Sequence, residues 1–256
     1  AESDLSTTSK ENFEDKGPSD EWKKHAAWKH TPFEELFPGR LWQITGTLPN
    51  GILRNMVVYK MNDGNLWIHS VIALDEETNN QLLSFGTPKY TIVPNGQHTI
   101  DCAIFQQRYP SVQLFSPMAI KSSLLAKPVR VDGDVEVFWR EKKEGVQALI
   151  PPGTKRTGAM GLGGEVVWLL DLDNESKALV FCDLLTHNVG FTGFKKFLLG
   201  STFECPRGVR WAVISNNADY KKFLLDLAED TRIKVVSVAH GPAVVTDVSN
   251  ALKSAA

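Results

Sequence analysis

Residues 92–117 read IVPNGQHTIDCAIFQQRYPSVQLFSP, and this stretch decides how the rest of the chain is organised. KYTIV at 89–93 is a continuous apolar run of strand type, and the Pro94-Asn95-Gly96 turn ends it. DCAIFQQRY at 101–109 reads as a helix stopped by Pro110, and VQLFS at 112–116 is a strand again. Strand, helix and strand in succession are the signature of sheets covered by helices. His98 and Asp101 stand where the first strand empties into the helix. Three residues apart, they suit a metal site and equally suit an ordinary first helical turn.

The same texture extends in both directions. Upstream, LWQITGTL (41–48), ILRNMVVYKM (52–61) and NLWIHS (65–70) are β-rich runs separated by Pro-Asn-Gly and Asn-Asp-Gly turns, and LDEETNNQLLSFG (74–86) has helical apolar spacing with a glycine stop. Downstream, GVQALI (145–150), EVVWLLDL (165–172) and KALVFCDLL (177–185) read as a meander. DYKKFLLDLAED (219–230) is a helix with Asn216 or Asn217 near its cap, IKVVSVAH (233–240) is a strand, and PAVVTDVSNALKSAA (242–256) is a closing helix. The fold class is therefore α/β, with two sheets face to face and helices outside. No low-complexity linker divides the chain, which predicts one domain over residues 22–256. Residues 1–21 are polar and nearly free of aliphatics, the composition of a disordered tail. Residues 22–42, with three Trp and two Phe among charges, read as a segment docking by its aromatics, with His25 and His30 at the surface.

With 256 residues, 42% of them hydrophobic, the chain can bury a full core. A net charge of −2 gives no general attraction to nucleic acid. No apolar run reaches the roughly 18–20 residues of a membrane span. Three cysteines without a CxxC pair exclude a disulfide framework. A soluble protein of a reducing, cytoplasmic compartment is expected, and the aromatic N-terminal segment offers a partner or homodimer surface.

Four strands lead to a polar, ligand-capable residue: His69, His98, Asp183 and His240. Strand ends are where α/β architectures gather chemistry, and three imidazoles with a carboxylate are donors of the kind used by zinc, iron or manganese. Singly, each has an ordinary reading: a core histidine at 69, a helix cap at 98, a turn residue at 183, a helix-entry residue at 240. Together they form a metal site if their strands are neighbours. The loop PPGTKRTGAMGLGGE (151–165) is basic and glycine-rich. It is either a lid whose Lys155 and Arg156 meet an anionic substrate or a solvated hairpin, and it lacks the Gly-Lys-Ser/Thr of a phosphate loop. Ser70 and Ser215 lack a nucleophile elbow, and Cys182 lies in an apolar strand that favours the inert thiol.

At LVFCDLL (179–185) and VVSVAHGP (235–242) the chain resembles the metallo-β-lactamase-fold superfamily. RNMVVYKMNDGNLWIHSVIALDEE (54–77), the turn before His98 and RYPSVQLFSP (108–117) resemble an uncharacterised branch of it, over roughly residues 40–250. The resemblance implies an αββα sandwich and a metal-dependent hydrolase acting on a small molecule. It also shows what has been lost. The His-x-His-x-Asp-His run of active members is reduced to PNGQHTIDC, Thr154 stands where a histidine is expected, and His69-Ser70 replaces an aspartate. What remains allows at most one divalent ion, held by His98, Asp183 and His240 with His69 as a further donor, and Asp101 or Asp183 holding the attacking water. The alternative is an inactive binding protein of the same fold without metal.

Overall fold

The structure, a computed structural model, describes residues 13–158, 161–189 and 191–256, without the side chains at 194 and 195. Most of the expected tail, residues 1–12, and Ala159 and Met160 of the glycine-rich loop lie outside the described residues.

The first sheet runs in chain order: β1 (Glu34–Phe37), β2 (Leu41–Thr47), β3 (Leu53–Lys60), β4 (Asn65–His69), β5 (Thr87–Ile92), β6 (Gln113–Ser116) and β7 (Gly133–Asp134). Hairpins make β1 to β4 antiparallel, whereas β4 to β7 pair in parallel through crossovers. The helix Glu76–Phe85, capped by the Asp75 carboxylate, makes the first crossover, and the helix Cys102–Arg108 makes the second. The second sheet is the meander β8 (Val146–Leu149), β9 (Val167–Asp171) and β10 (Lys177–Val180). A small ribbon follows, β11 (Thr186–His187) with β12 (Phe203–Glu204), and β13 (Ile233–Ser237) then returns to lie parallel beside β10. The helix Asn217–Glu229 is capped by Asn216, as the sequence suggests. The closing helix is shorter than expected, Val248–Ala255, because Val244 is drawn into a bridge with Val236.

Strand periodicity sorts the core into three layers. Met56, Val58, Leu66 and Ile68 face the helices over the first sheet. Val57, Tyr59 and Trp67 face the second sheet, meeting Trp168, Val180 and Val235. Leu179, Val236 and Tyr220 pack under the C-terminal helices. The inter-sheet layer is built on indoles: Trp67 and Trp168 meet edge to face at 5.0 Å, and Trp139 meets Trp168 at 6.2 Å. Each such ring removes roughly 150–250 Å² from water.

The N-terminal segment docks earlier than its composition suggests. Phe13 stacks on Tyr109 at 5.6 Å, and Arg108, mostly buried, pairs with both Asp15 (3.0 Å) and Glu76 (2.7 Å). The helix Asp20–Ala26 buries Trp22, whose Nε1 donates to the Leu74 carbonyl at 2.8 Å. His25 and His30 are not free surface residues, since each pairs with a carboxylate of the body, Asp101 and Asp75. A short polar stretch can thus be ordered by a few long-range partners that its own composition does not display.

Trp22→Ala should cost about 3–5 kcal/mol, as expected for a fully buried indole. That corresponds to a melting temperature lower by roughly 10 °C. A calorimetric scan that leaves the transition in place would show that the segment is not part of the folded unit.

Candidate metal centre

Three of the sequence-predicted residues converge at one rim of the sandwich. β10 and β13 are parallel neighbours, so Asp183 just beyond one and His240 just beyond the other emerge side by side. His240 Nε2 lies 3.1 Å from Asp183 Oδ1, and His98 Nε2 lies 3.5 Å from Asp183 Oδ2. The two imidazoles are 5.3 Å apart, centre to centre. All three groups are largely enclosed.

Each imidazole is held by its far nitrogen. His240 Nδ1 donates to the Leu53 carbonyl at 2.5 Å, and the hydroxyl of Ser70 meets His98 Nδ1 at 2.8 Å. Both rings therefore present Nε2 to the carboxylate, the arrangement that fixes tautomer and orientation in metal-binding histidines. Ser70 reaches this position from a left-handed backbone (φ 58°), a conformation that costs a non-glycine residue about 1–3 kcal/mol. Gly241 must be glycine. Its φ is 98°, and a Cβ there would sit 1.9 Å from the His187 carbonyl oxygen.

Side chains from the first sheet lock the His240 loop in place. Asn55 Nδ2 donates to the carbonyls of Val238 (2.7 Å) and Gly241 (2.6 Å), while Ser237 Oγ donates to Gln43 Oε1 at 2.6 Å across the layer. From below, Glu165 does the same for Asp183. Its buried carboxylate accepts the consecutive backbone N–H groups of Cys182 (2.8 Å), Asp183 (2.9 Å) and Leu184 (3.2 Å), an anion-binding concavity filled from within the chain. Asn95, from the turn before His98, completes the Asp183 shell by donating to Oδ2 at 2.6 Å. It can approach because Gly96 packs directly on Gly161, its N–H donating to the Gly161 carbonyl at 2.8 Å.

The charges follow from this geometry. Burial opposes ionisation of Asp183, but His98 and His240 outweigh it and hold the carboxyl well below the usual range. Burial likewise works against a charged His240, and the bond to Asp183 overcomes it, raising that pKa. Glu165 goes the other way: burial, and then the Asp183 charge, push it up to about 8 against the pull of its three amides.

The remaining predicted residues are placed differently. His69 ends β4 with inward parity, so it stacks on Trp67 at 5.7 Å in the inter-sheet layer, and its Nε2 finds no partner among the described residues. Burial first, then the neighbouring His98, lowers its pKa to about 3. Among the described residues it makes no direct bond to the Asp183 cluster. Asp101 does not face the cluster as a water-holding group, because Arg54, His25 Nδ1 (2.6 Å) and the Ala73 N–H (3.1 Å) already occupy its two oxygens. It is a buried structural ion-pair centre. Lys155 and Arg156 are not lid cations poised for an anion: Lys155 Nζ donates to the Ala212 carbonyl at 3.3 Å, and Arg156 pairs with Glu136 and binds the Gly164 and Glu165 carbonyls. The loop that carries them is pinned by a bridge from Thr154 to Ile214.

Sequence reasoning missed four contributors. The apolar strand around Cys182 predicts an inert thiol, and burial does raise its pKa, yet its Sγ lies within 4.8 Å of donor atoms of His98 and Asp183. Asn95, Ser70 and Glu165 gave no signal beyond lying in or near the motifs.

Comparison with known proteins agrees with this architecture. No protein-family model matches the sequence, and no curated protein does. The fold is similar to that of the DIM-1 metallo-β-lactamase (TM-score 0.57, 12% identity, 89% of this chain and 98% of that one). It is also similar to VMB-1 at pH 5.5 (0.56, 12%, 90% and 96%) and to FIM-1 from Pseudomonas aeruginosa in its mono-zinc form (0.55, 12%, 88% and 94%). The chain has the metallo-β-lactamase fold, the αββα sandwich that the resemblance implies.

Burial of neutral His69 also makes a pH prediction. A histidine whose folded pKa is depressed binds fewer protons folded than unfolded, so its contribution is lost as pH falls below the unfolded value near 6.5. In chelator-treated protein, acidification from pH 7 to 5 should cost the wild type about 2 kcal/mol more than His69→Phe, at roughly 1.4 kcal/mol per pH unit. Parallel stability curves from urea titrations at the two pH values would refute this.

Proposed function

We propose that His98, Asp183 and His240 hold one divalent metal ion and that the protein is a metal-dependent hydrolase acting on a small ester, thioester or lactone. The observation that carries this is the convergence of two Nε2 atoms on one carboxylate, with each Nδ1 held from behind by Ser70 or Leu53. Two imidazoles and a carboxylate suit zinc, iron or manganese, and the Cys182 sulfur lies within 4.8 Å of the His98 and Asp183 donors. One solved neighbour of the same fold is described as a mono-zinc form, which supports a single-ion reading.

An ion held there supplies Lewis acidity, polarising a carbonyl and lowering the pKa of a water toward about 7. The protein's part is to bind and to orient. Asp183 remains ionised across the neutral range, which suits it as the anionic donor to the ion and as the group that orients the attacking water by a hydrogen bond. Ser70 and the Leu53 carbonyl fix the imidazole planes. Asn95 keeps one carboxylate oxygen in place while the other faces His240. Glu165, turned toward backbone amides, holds the turn and takes no part in proton transfer.

A second reading, a binding protein without metal, is favoured by one observation: Asn95, His98 and His240 already satisfy the Asp183 carboxylate as a closed network. Metal content separates the two. Untagged protein should carry about one divalent ion per chain, as three protein donors and an open position require. His240→Ala should release it, and Ser70→Ala should weaken it by about tenfold or more, the usual cost of losing a group that orients a ligand. Hydrolysis of a panel of esters, thioesters and lactones should stop on chelation and return on reloading. Protein that takes up no zinc, manganese or iron at micromolar concentration would establish the binding-protein reading instead.

A further inference from the structure

The opposite rim of the sandwich carries a polar cavity of about 320 Å³. β10 starts at Lys177 and Asp183 follows its far end, so the two rims are about 20 Å apart at the rise of an extended strand. Four cations from four different segments line this cavity, Arg40, Lys142, Lys177 and Arg232, against the carboxylates Asp171 and Asp173. With Asp230 behind Arg232 counted as well, one positive charge is still in surplus, in a protein whose net charge is −2.

The surplus is localised. Lys142 is matched by Asp171 at 2.8 Å, and Arg232 by Asp230 at 2.7 Å. Asp173 spends its oxygen on the N–H groups of Glu175 (2.8 Å) and Ser176 (2.6 Å) in its own turn. Among the described residues Lys177 pairs with one acid, Asp230 at 4.0 Å, and its side chain is just 15% exposed. Arg40 forms no ion pair among the described residues. Its guanidinium stacks 5.1 Å from the centre of the Tyr59 ring, donates to the Met61 carbonyl, the Tyr59 hydroxyl and Asn62 Oδ1, and leaves Nε buried without a partner. Arg40 has no carboxylate partner among the described residues and Lys177 has one only at 4.0 Å, so an anion between them would offset the cost of holding both charges partly out of water. The cavity lies between them, with the Asn62 and Asn174 amides at its wall.

We propose that this cavity is a binding site for a small, multiply charged oxyanion of the phosphate class. Arg40, held in place by Met61, Tyr59 and Asn62, supplies one fixed positive charge, and Lys177 supplies a second from the facing sheet. The site is separate from the candidate metal centre, and its occupancy does not require catalysis.

The test is a titration of full-length, chelator-treated protein with inorganic phosphate and with pyrophosphate, followed by backbone amide NMR at constant ionic strength with chloride as the control. Saturable shifts are expected at residues 173–177 and 232, with the amides near His98 unmoved. Arg40→Met should weaken binding about tenfold or more, the loss expected for hydrogen bonds to a charged group. Lys177→Met, which keeps the stem, should do the same and serves if Arg40→Met disturbs the packing on Tyr59. Non-saturating shifts, shifts equal to those produced by chloride, or variants that bind as tightly as the wild type would each overturn the proposal.

Discussion

A carboxylate sealed at the rim between two sheets is the constraint on which the rest of this structure turns. Asp183 is ionised and almost fully enclosed, and a buried charge is tolerated only where partners surround it. The fold delivers those partners from three places in the chain. The turn after β5 brings Asn95 and His98, the end of β13 brings His240, and Glu165 holds the Asp183 turn from beneath by taking three of its amides. Cross-sheet bonds from Asn55 and Gln43 keep β13 at the right height for this to happen. Remove the parallel pairing of β10 and β13 and the cluster has no geometry.

The same logic explains why polar groups that look alike in sequence part company in three dimensions. His69 and His98 both follow apolar strands. One is turned by strand parity into the indole layer, where burial keeps it neutral, and the other stands on the turn beyond its strand and faces the carboxylate. Asp101 and Asp183 are both buried carboxylates. Asp101 is surrounded by Arg54 and His25 and ties the N-terminal segment to the first sheet, while Asp183 meets imidazoles. The neighbours decide whether a buried carboxylate ties two segments together or stands among imidazoles at the rim.

Local pattern made the layered architecture legible, because period-two runs, turn residues and helix stops act over a few residues. It made the strand-end residues legible too, since His98, Asp183 and His240 each follow an apolar run that points to its place. The partners were not legible. Asp101 and Arg54 are 47 residues apart, Asp101 and His25 are 76, and Glu165 reaches amides 17 to 19 residues away. Nothing in the local composition of these residues shows such contacts. Lys155 and Arg156 misled for the same reason: a basic, glycine-rich loop looks free until its carbonyl and carboxylate partners are known. Residues 13–21 have the composition of a tail because one phenylalanine does not outweigh their polar residues, although Phe13 on Tyr109 and Asp15 on Arg108 tie them down.

Whether the Asp183 cluster holds a metal ion is tested most directly by anomalous X-ray diffraction from zinc-soaked crystals. One anomalous peak is predicted within bonding distance of His98 Nε2, His240 Nε2 and an Asp183 oxygen, with the His240 Nδ1 bond to the Leu53 carbonyl intact. A zinc-soaked crystal with no peak there, and with the two imidazoles still hydrogen-bonded to the carboxylate, would contradict it.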